Sequence, residues 1–271
     1  QFAAHAALQA AAPSHGFDLE MIADFGGDAD VDPDPILAGY ADAMRAAGFA
    51  PDSVMVCPCV DRQSTPPGSA CPPVEMLDFV AHSLCPIVHD AGDRAVMETL
   101  EAVAHITASA RAIIGDRDYR IGPSTIAMRQ NPYGARTIPN PDRRRVAMAD
   151  DDPRHAGRFA AAYAVGLATA LAPAGISVWT PAELYGPRGL FAPDGSRLPL
   201  TEAIAALAAC AGMPVVASEV DTQRAHLALS GAVFDANLTL EPFEDLPPFG
   251  WKVRDDVGAT LRQGGATRSK R

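Results

Sequence analysis

The chain has 271 residues, 48% of them apolar and only 6% aromatic, so it can bury a sizeable core built mostly from Ala, Leu, Val and Ile. Its formal charge of −11 argues against nucleic acid or an anionic membrane as a partner, because both reward clustered Lys and Arg. No apolar run approaches the roughly 20 residues of a membrane helix, and no secretory leader is visible.

The chain opens at Gln1 rather than Met, in an Ala-rich stretch with a helical look, and reads as a fragment of a longer protein. Residues 18–25, "DLEMIADF", alternate as a strand does. Residues 34–48 read as a helix, with Asp34 as N-cap, Pro35 in the first turn and Gly48 beyond its end. A buried strand is expected at 52–59, followed by loop chemistry over 60–73. The cysteines are Cys57, Cys59, Cys71, Cys85 and Cys210, an odd number with one close pair, which is no disulfide framework. Nothing near Cys57-Pro-Cys59 completes a zinc site. Reduced thiols in the cytoplasm are the expectation.

Residues 76–90 are strand-like and interrupted at Pro86, and their apolar run stops at His89 and Asp90. A long amphipathic helix follows over 93–114, for which Asp93 is the expected N-cap. Residues 119–129 read as a strand running into a long, Pro-rich loop that carries Arg143-Arg144-Arg145 between Asp142 and Asp150-Asp151-Asp152. This charge cluster reads as solvated and locally neutralised. A helix over 153–175, a strand over 176–180 and a helix over 198–212 complete the alternation. Strand and helix in turn mean an α/β fold with parallel strands. No G-x-G-x-x-G or Walker A sequence follows any strand, which disfavours a dinucleotide or P-loop fold. Polar residues gather just past the strands, as they do at the catalytic end of a (β/α)8 barrel, and a TIM-barrel-like domain is preferred to an open sheet. After Gly212 come short β segments without long helices. The expected organisation is a catalytic barrel part over 1–212, the start of a β-sandwich-like domain over 213–243, and an irregular tail over 244–271.

Three blocks carry a further signal: "LDFVAHSLCPIVHDAGDRAVMETLEAV", "YRIGPSTIAMRQNPYG" and "NPDRRRVAMADDDPRHAGRFAAAYAVG". In order and spacing they resemble the barrel domain of the bacterial D-apionate lactonases, over roughly residues 18–242. The resemblance implies a glycosidase-like (β/α)8 barrel with a β domain behind it, acting as a hydrolase on a small-molecule sugar-acid lactone in D-apiose catabolism. It also implies departures. The family has a further helix and strand between the 60–70 loop and the "LDFV" strand, ending in a Glu-containing stretch, whereas here Cys71-Pro72-Pro73 runs almost directly into Val74-Glu75-Met76. One βα step, with a candidate glutamate, is therefore expected to be missing, as is the beginning of the barrel. The barrel is expected to be incomplete, with a seam between the 53–58 and 77–82 strands. The turn "WTPAELYGPRGLF" is rewritten relative to the family as well.

Opening a lactone is acyl transfer to water, which needs a base, oxyanion donors and an acid for the leaving alkoxide. No metal and no cofactor are expected. His89 is the first choice for base, since imidazole titrates near neutrality, with Asp90 or Asp93 as the partner that fixes its tautomer. The plain alternative is a loop histidine at the sheet end. Arg129 would clamp a substrate oxygen and Asn131 donate to an oxyanion. Their plain alternatives are an ion pair with a neighbouring strand and turn chemistry in Asn-Pro-Tyr-Gly. Tyr133 would wall the pocket or pack its loop. Ser124 lies in no nucleophile elbow and is kept as a binding residue only. Glu183 and Glu75 are carboxylates near strand ends. A glycoside hydrolase, which needs two facing carboxylates, is the alternative enzyme class, and a non-catalytic shortened relative is the third reading. His82, inside a strand, reads as a satisfied interior histidine.

Overall fold

In the computed structural model, the chain is described over residues 79–131 and 136–255 and along the backbone of 55–56 and 260–264. The expected strand at 18–25, the helix at 34–48, Tyr133 and Glu75 lie outside the described residues. By its internal contacts the chain divides into two units.

The first unit holds strands β1 (Met55–Val56), β2 (Phe79–His82) and most of β3 (Asp118–Ile121). β1 and β2 pair in parallel, Met55 opposite Phe79 and Val56 opposite Val80. The seam expected between these two strands is therefore not there: they are direct hydrogen-bonded neighbours. In β3 the side chains alternate, with Tyr119 and Ile121 fully buried. The Tyr119 hydroxyl lies 2.6 Å from His82 Nε2, which satisfies that histidine as expected. Arg120 stacks over the Phe79 ring at 3.7 Å and bonds Asp118.

The second unit is built on three helices. In α1 (Asp93–Ile114), Val96, Leu100, Val103, Thr107 and Ala110 recur every three or four residues and are all buried, with Met97 beside them, while residues 101–102, 104–106 and 108–109 are exposed. α2 (Arg158–Leu171) is Ala-rich and buried almost all round, as a helix enclosed on every side must be. Leu100 of α1 seats against Gly166 of α2 so closely that a Cβ there would lie 2.5 Å from Leu100 Cδ1. α3 (Pro199–Ala209) packs along α2. The helix expected over 153–175 is thus broken. A 3-10 turn at Pro153–Ala156 precedes α2, the two are divided by Gly157 in an extended conformation, and a further 3-10 turn at Ala172–Ala174 follows.

Strand β4 (Val178–Trp179) belongs to this unit, as does Ile121 at the end of β3. Thr180 donates to the Ile121 carbonyl at 2.8 Å and accepts from Ser124 N–H at 3.0 Å. These two bonds bracket Gly122 and Pro123 on the neighbouring segment. The strand expected over 119–129 ends at Ile121, because Gly122 and Pro123 interrupt the ladder and Pro123 has no N–H to give.

Beyond α3 the chain makes a five-stranded antiparallel meander: β5 (Val215–Val220), β6 (Arg224–Leu229), β7 (Ala232–Asn237), β8 (Trp251–Arg254) and β9 (Thr260–Gly264). Leu227, Phe234, Ala236, Trp251 and Val253 alternate inward, and this face packs on α2. The sheet falls in the same compact unit as the helices. Residues 244–271, expected to be irregular, contribute β8 and β9. Each strand is short and flanked by Pro- or Gly-containing sequence, which hides its alternation. No helix among the described residues is long and apolar enough to cross a membrane.

Candidate active site

The segments following β2, β3 and β4 are irregular, and backbone bonds stitch them together. Leu84 N–H donates to Pro123, Met148 N–H to Ile87, and Met128 N–H to Ala149, at 3.3, 2.7 and 2.9 Å. The loop after β4 folds back on itself: Glu183 N–H donates to Arg188 and Leu190 N–H to Glu183.

Two of the expected residues meet here. Arg129 Nε lies 3.4 Å from Glu183 Oε1. The same oxygen accepts from Arg188 Nε at 3.1 Å, and Arg188 Nη1 also donates to the carbonyls of Met128 and Asp150, at 3.3 and 2.7 Å. Arg188 is thus largely buried and occupied. Arg129 has 53% of its side chain exposed and can turn a guanidinium face outward. The pair fulfils the plain reading of Arg129, an ion pair with a neighbouring segment, and still leaves it access to a ligand.

His89 and Asp90 are exposed in the turn between β2 and α1. Asp90 Oδ1 accepts from Gly92 N–H at 2.6 Å, closing that turn. Asp93 is not the N-cap it was expected to be. Val96 N–H bonds Gly92 O, so Asp93 is already inside the first turn. Its carboxylate faces Arg145 Nη1 at 2.7 Å and Arg154 Nη1 at 3.1 Å. Arg154 in turn grips Asp152 with two bonds, Nε to Oδ1 at 2.8 Å and Nη2 to Oδ2 at 2.6 Å. The Asp152 side chain has no exposed surface and that of Arg154 only 9%. Asp152 also caps the 3-10 turn by accepting from Arg154 N–H. Asn140 braces the neighbouring loop, donating to the carbonyls of Arg144 and Asp151 at 2.7 Å each.

Ser124 is 4% exposed and its Oγ accepts the Trp179 indole N–H at 2.7 Å. It lines a small internal cavity with His155, Tyr163, Trp179 and apolar neighbours. The space admits about one water, and Ser124 is engaged there with the Trp179 indole. His155 is buried, its Nε2 bonds the Gly189 carbonyl at 2.9 Å, and its Nδ1 has no protein partner. Burial pushes His155 below the usual histidine range, against the opposing bond to Gly189 and the nearby Asp152 and Asp151. Burial also pushes the Cys85 thiol up to about 11, so it stays protonated at neutral pH, and Tyr163 is raised for the same reason. Asn131 donates to the Arg136 carbonyl at 2.9 Å, the turn role named for it. Among the described residues no group of His, Cys, Asp and Glu could hold a metal ion.

Sequence reasoning missed Arg188, Asp152, Arg154 and His155. The available signal was Asp152-Pro153-Arg154-His155 itself, an acidic cap, a first-turn proline and two basic groups ahead of an Ala-rich helix. Asp152, expected to be solvated, is fully buried, and Arg154 and His155 beside it are nearly so.

Comparison with known proteins adds the following. The chain matches the family described as D-apionate lactonase, TIM barrel domain, in two segments, residues 1–75 and 69–212. It is 44% identical over 215 residues to a D-apionate lactonase of Brucella anthropi, an alignment covering 64% of this chain and 35% of that protein. The chain therefore spans about a third of the length of that curated relative. Among solved structures, a monomeric beta-xylosidase from Caulobacter crescentus matches with a TM-score of 0.39 and 16% identity, over 80% of this chain and 45% of that one.

Proposed function

The chain belongs to the D-apionate lactonase family, and on that basis we propose that it serves the hydrolysis of a branched sugar-acid lactone, D-apionate lactone to D-apionate, in a cytoplasmic pathway. The observation that carries the reading is the 44% identity to the Brucella anthropi lactonase. Water adds to the lactone carbonyl, the ring C–O bond breaks, and the proton lost by water ends on the released alkoxide. His89, exposed beside the loops, takes the proton from water. Asp90 holds the turn that presents it. Arg129, oriented by Glu183, meets the carbonyl oxygen and then the product carboxylate. Asn131 and Tyr133 belong to the same loop system in sequence and are proposed to border the substrate. Asp93 acts on Arg145 and Arg154, not on substrate.

A second reading has its own support. The two family segments overlap at 69–75, where the missing βα step was expected. The 215 aligned residues also exceed the 64% of the chain they occupy by about 40 positions, near the ~30 residues per βα step of a barrel. On this reading the barrel is internally shortened and the chain binds the lactone without turning it over. Acid release from D-apionate lactone, and nitrophenol release from aryl glycosides, should be followed for this chain and for a version with the family's βα step restored. Lactone turnover by this chain supports the hydrolase, and turnover only on restoration supports the shortened form. Glycoside cleavage without lactone opening would defeat both. In an active form, His89→Ala should lower turnover by roughly 10²–10⁴-fold.

A further inference from the structure

The loop after β4 is tied down at almost every residue and yet displays two large apolar side chains to solvent. Four tethers hold it from outside itself: Arg188 to Met128 and Asp150, His155 to the Gly189 carbonyl, and Thr201 to the Leu190 carbonyl. Within the loop, Gly189 N–H bonds Gly186 and Phe191 N–H bonds Leu184. The backbone turns so tightly that a Cβ on Gly189 would lie 2.6 Å from the Tyr185 carbonyl carbon. On this rigid frame Leu184 is 57% and Tyr185 63% exposed. The Tyr185 ring leans on Phe191, centroids 5.7 Å apart, and so has a fixed posture with much of its surface uncovered. Floppy loops expose apolar groups at little cost, but a braced loop that does so is presenting them. The same loop holds the half-exposed guanidinium of Arg129 through Glu183, two residues before Tyr185.

We infer that Tyr185, with Leu184 beside it, is the apolar platform on which the C–H face of a small sugar-acid lactone rests while Arg129 takes its oxygen. An aromatic face next to a few charged groups is how concave and semi-open sites orient polar ligands with apolar faces. The inference rests on the lactonase reading for the identity of the ligand. It makes Tyr185 a binding residue whose ring, not its hydroxyl, matters.

The test is the lactonase rate of Tyr185→Ala and Tyr185→Phe in this chain, with calorimetric titration of D-apionate alongside. Tyr185→Ala should raise KM about tenfold with kcat nearly unchanged, the mark of lost uniform binding, and Tyr185→Phe should behave as the parent does. An unchanged KM in Tyr185→Ala overturns the inference, and so does an equal loss in Tyr185→Phe. If the parent chain turns over no lactone, the catalytic reading falls and the titration decides: weaker D-apionate binding by Tyr185→Ala upholds the platform. Equal affinity, or no binding by the parent, removes it. Both variants should melt with the parent, since the side chain is mostly in solvent.

Discussion

The loops after β3 and β4 and the sheet from Val215 to Gly264 fix their side chains by different means. In the sheet, each strand is positioned by a ladder along its length, and Phe234 or Trp251 points inward because its neighbours do. In the loops there are few ladder bonds, and single side chains reach across to carbonyls: Arg188 to two, Asn140 to two, His155 to one. A ladder spreads its cost over many residues, so losing one polar side chain does little. A side-chain brace concentrates it. The loop region should therefore be intolerant at charged positions and the sheet at apolar ones.

The largest effects come from matched losses in the two regions. Phe234→Ala and Asp152→Ala should each destabilise by about 3–5 kcal/mol in denaturant unfolding, the first through a cavity and the second by taking from Arg154 its two-bond partner and leaving it Asp93 alone. The two separate on repair: adding Arg154→Met to Asp152→Leu should recover most of the second loss, because the apolar pair carries no buried charge. Failure of that repair would mean that the Arg154 bonds to Asp93 and Asp152 are needed for more than neutralisation.

Arg188→Met comes next, at about 1–3 kcal/mol, because the Met128 and Asp150 carbonyls lose a donor. Its effect on lactone turnover should exceed its effect on melting, since the loop carrying Glu183 is released. A Tm shift with intact turnover would break the link between brace and site.

Smaller and pH-dependent is His155. Its folded value is below its ordinary value, so the unfolded chain takes the proton first as pH falls. The stability held by neutral His155 is complete above about 6.5 and is lost progressively below it. In His155→Gln, which can still donate to Gly189, the fall in unfolding free energy between pH 6.5 and 5 should be shallower than in the parent. Equal slopes would exclude His155 as its source.

The smallest effect is expected in the sheet. Burial alone would raise the Asp235 carboxyl, but bonds from His226 at 2.7 Å and Arg254 at 2.9 Å hold it below the usual carboxylate range. The stability it contributes is present above its ordinary value and lost as pH falls through the lower folded value. Asp235→Asn should cost about 1 kcal/mol or less at neutral pH, because the cluster is partly solvated, and should flatten the acid limb of the stability curve. A cost above that of Arg188→Met would overturn the ranking of the two regions.

How much of this was legible differs by region for the same physical reason. The stripe of α1 is local, so its extent from Asp93 to Ile114 could be read from spacing alone. Whether Asp93 caps that helix could not, because Arg145 and Arg154, far along the chain, decide where its carboxylate points. Arg129 and Glu183 each stood out as polar groups past a strand, but their meeting depends on a fold-back of the 183–190 loop that no periodicity encodes. β6 and β7 fall in the short β segments expected after Gly212, whereas four-residue β8 after "EDLPPFG" fell in the stretch expected to be irregular. Family resemblance supplied the proposed activity, and charge and spacing alone would have stopped at an α/β domain.

The turn at Pro153–Ala156 has adjacent residues holding opposite sides of the loop system. Arg154 reaches Asp93 at the start of α1, and His155 reaches Gly189 after β4. In a 3-10 turn successive side chains diverge by about 120°, so a one-residue insertion or deletion there would swing both hands off their partners at once. Point substitutions can loosen one side at a time, but changes of length cannot. Engineers wishing to graft a different β4 loop onto this scaffold should leave the spacing of these four residues intact and vary the chain on either side.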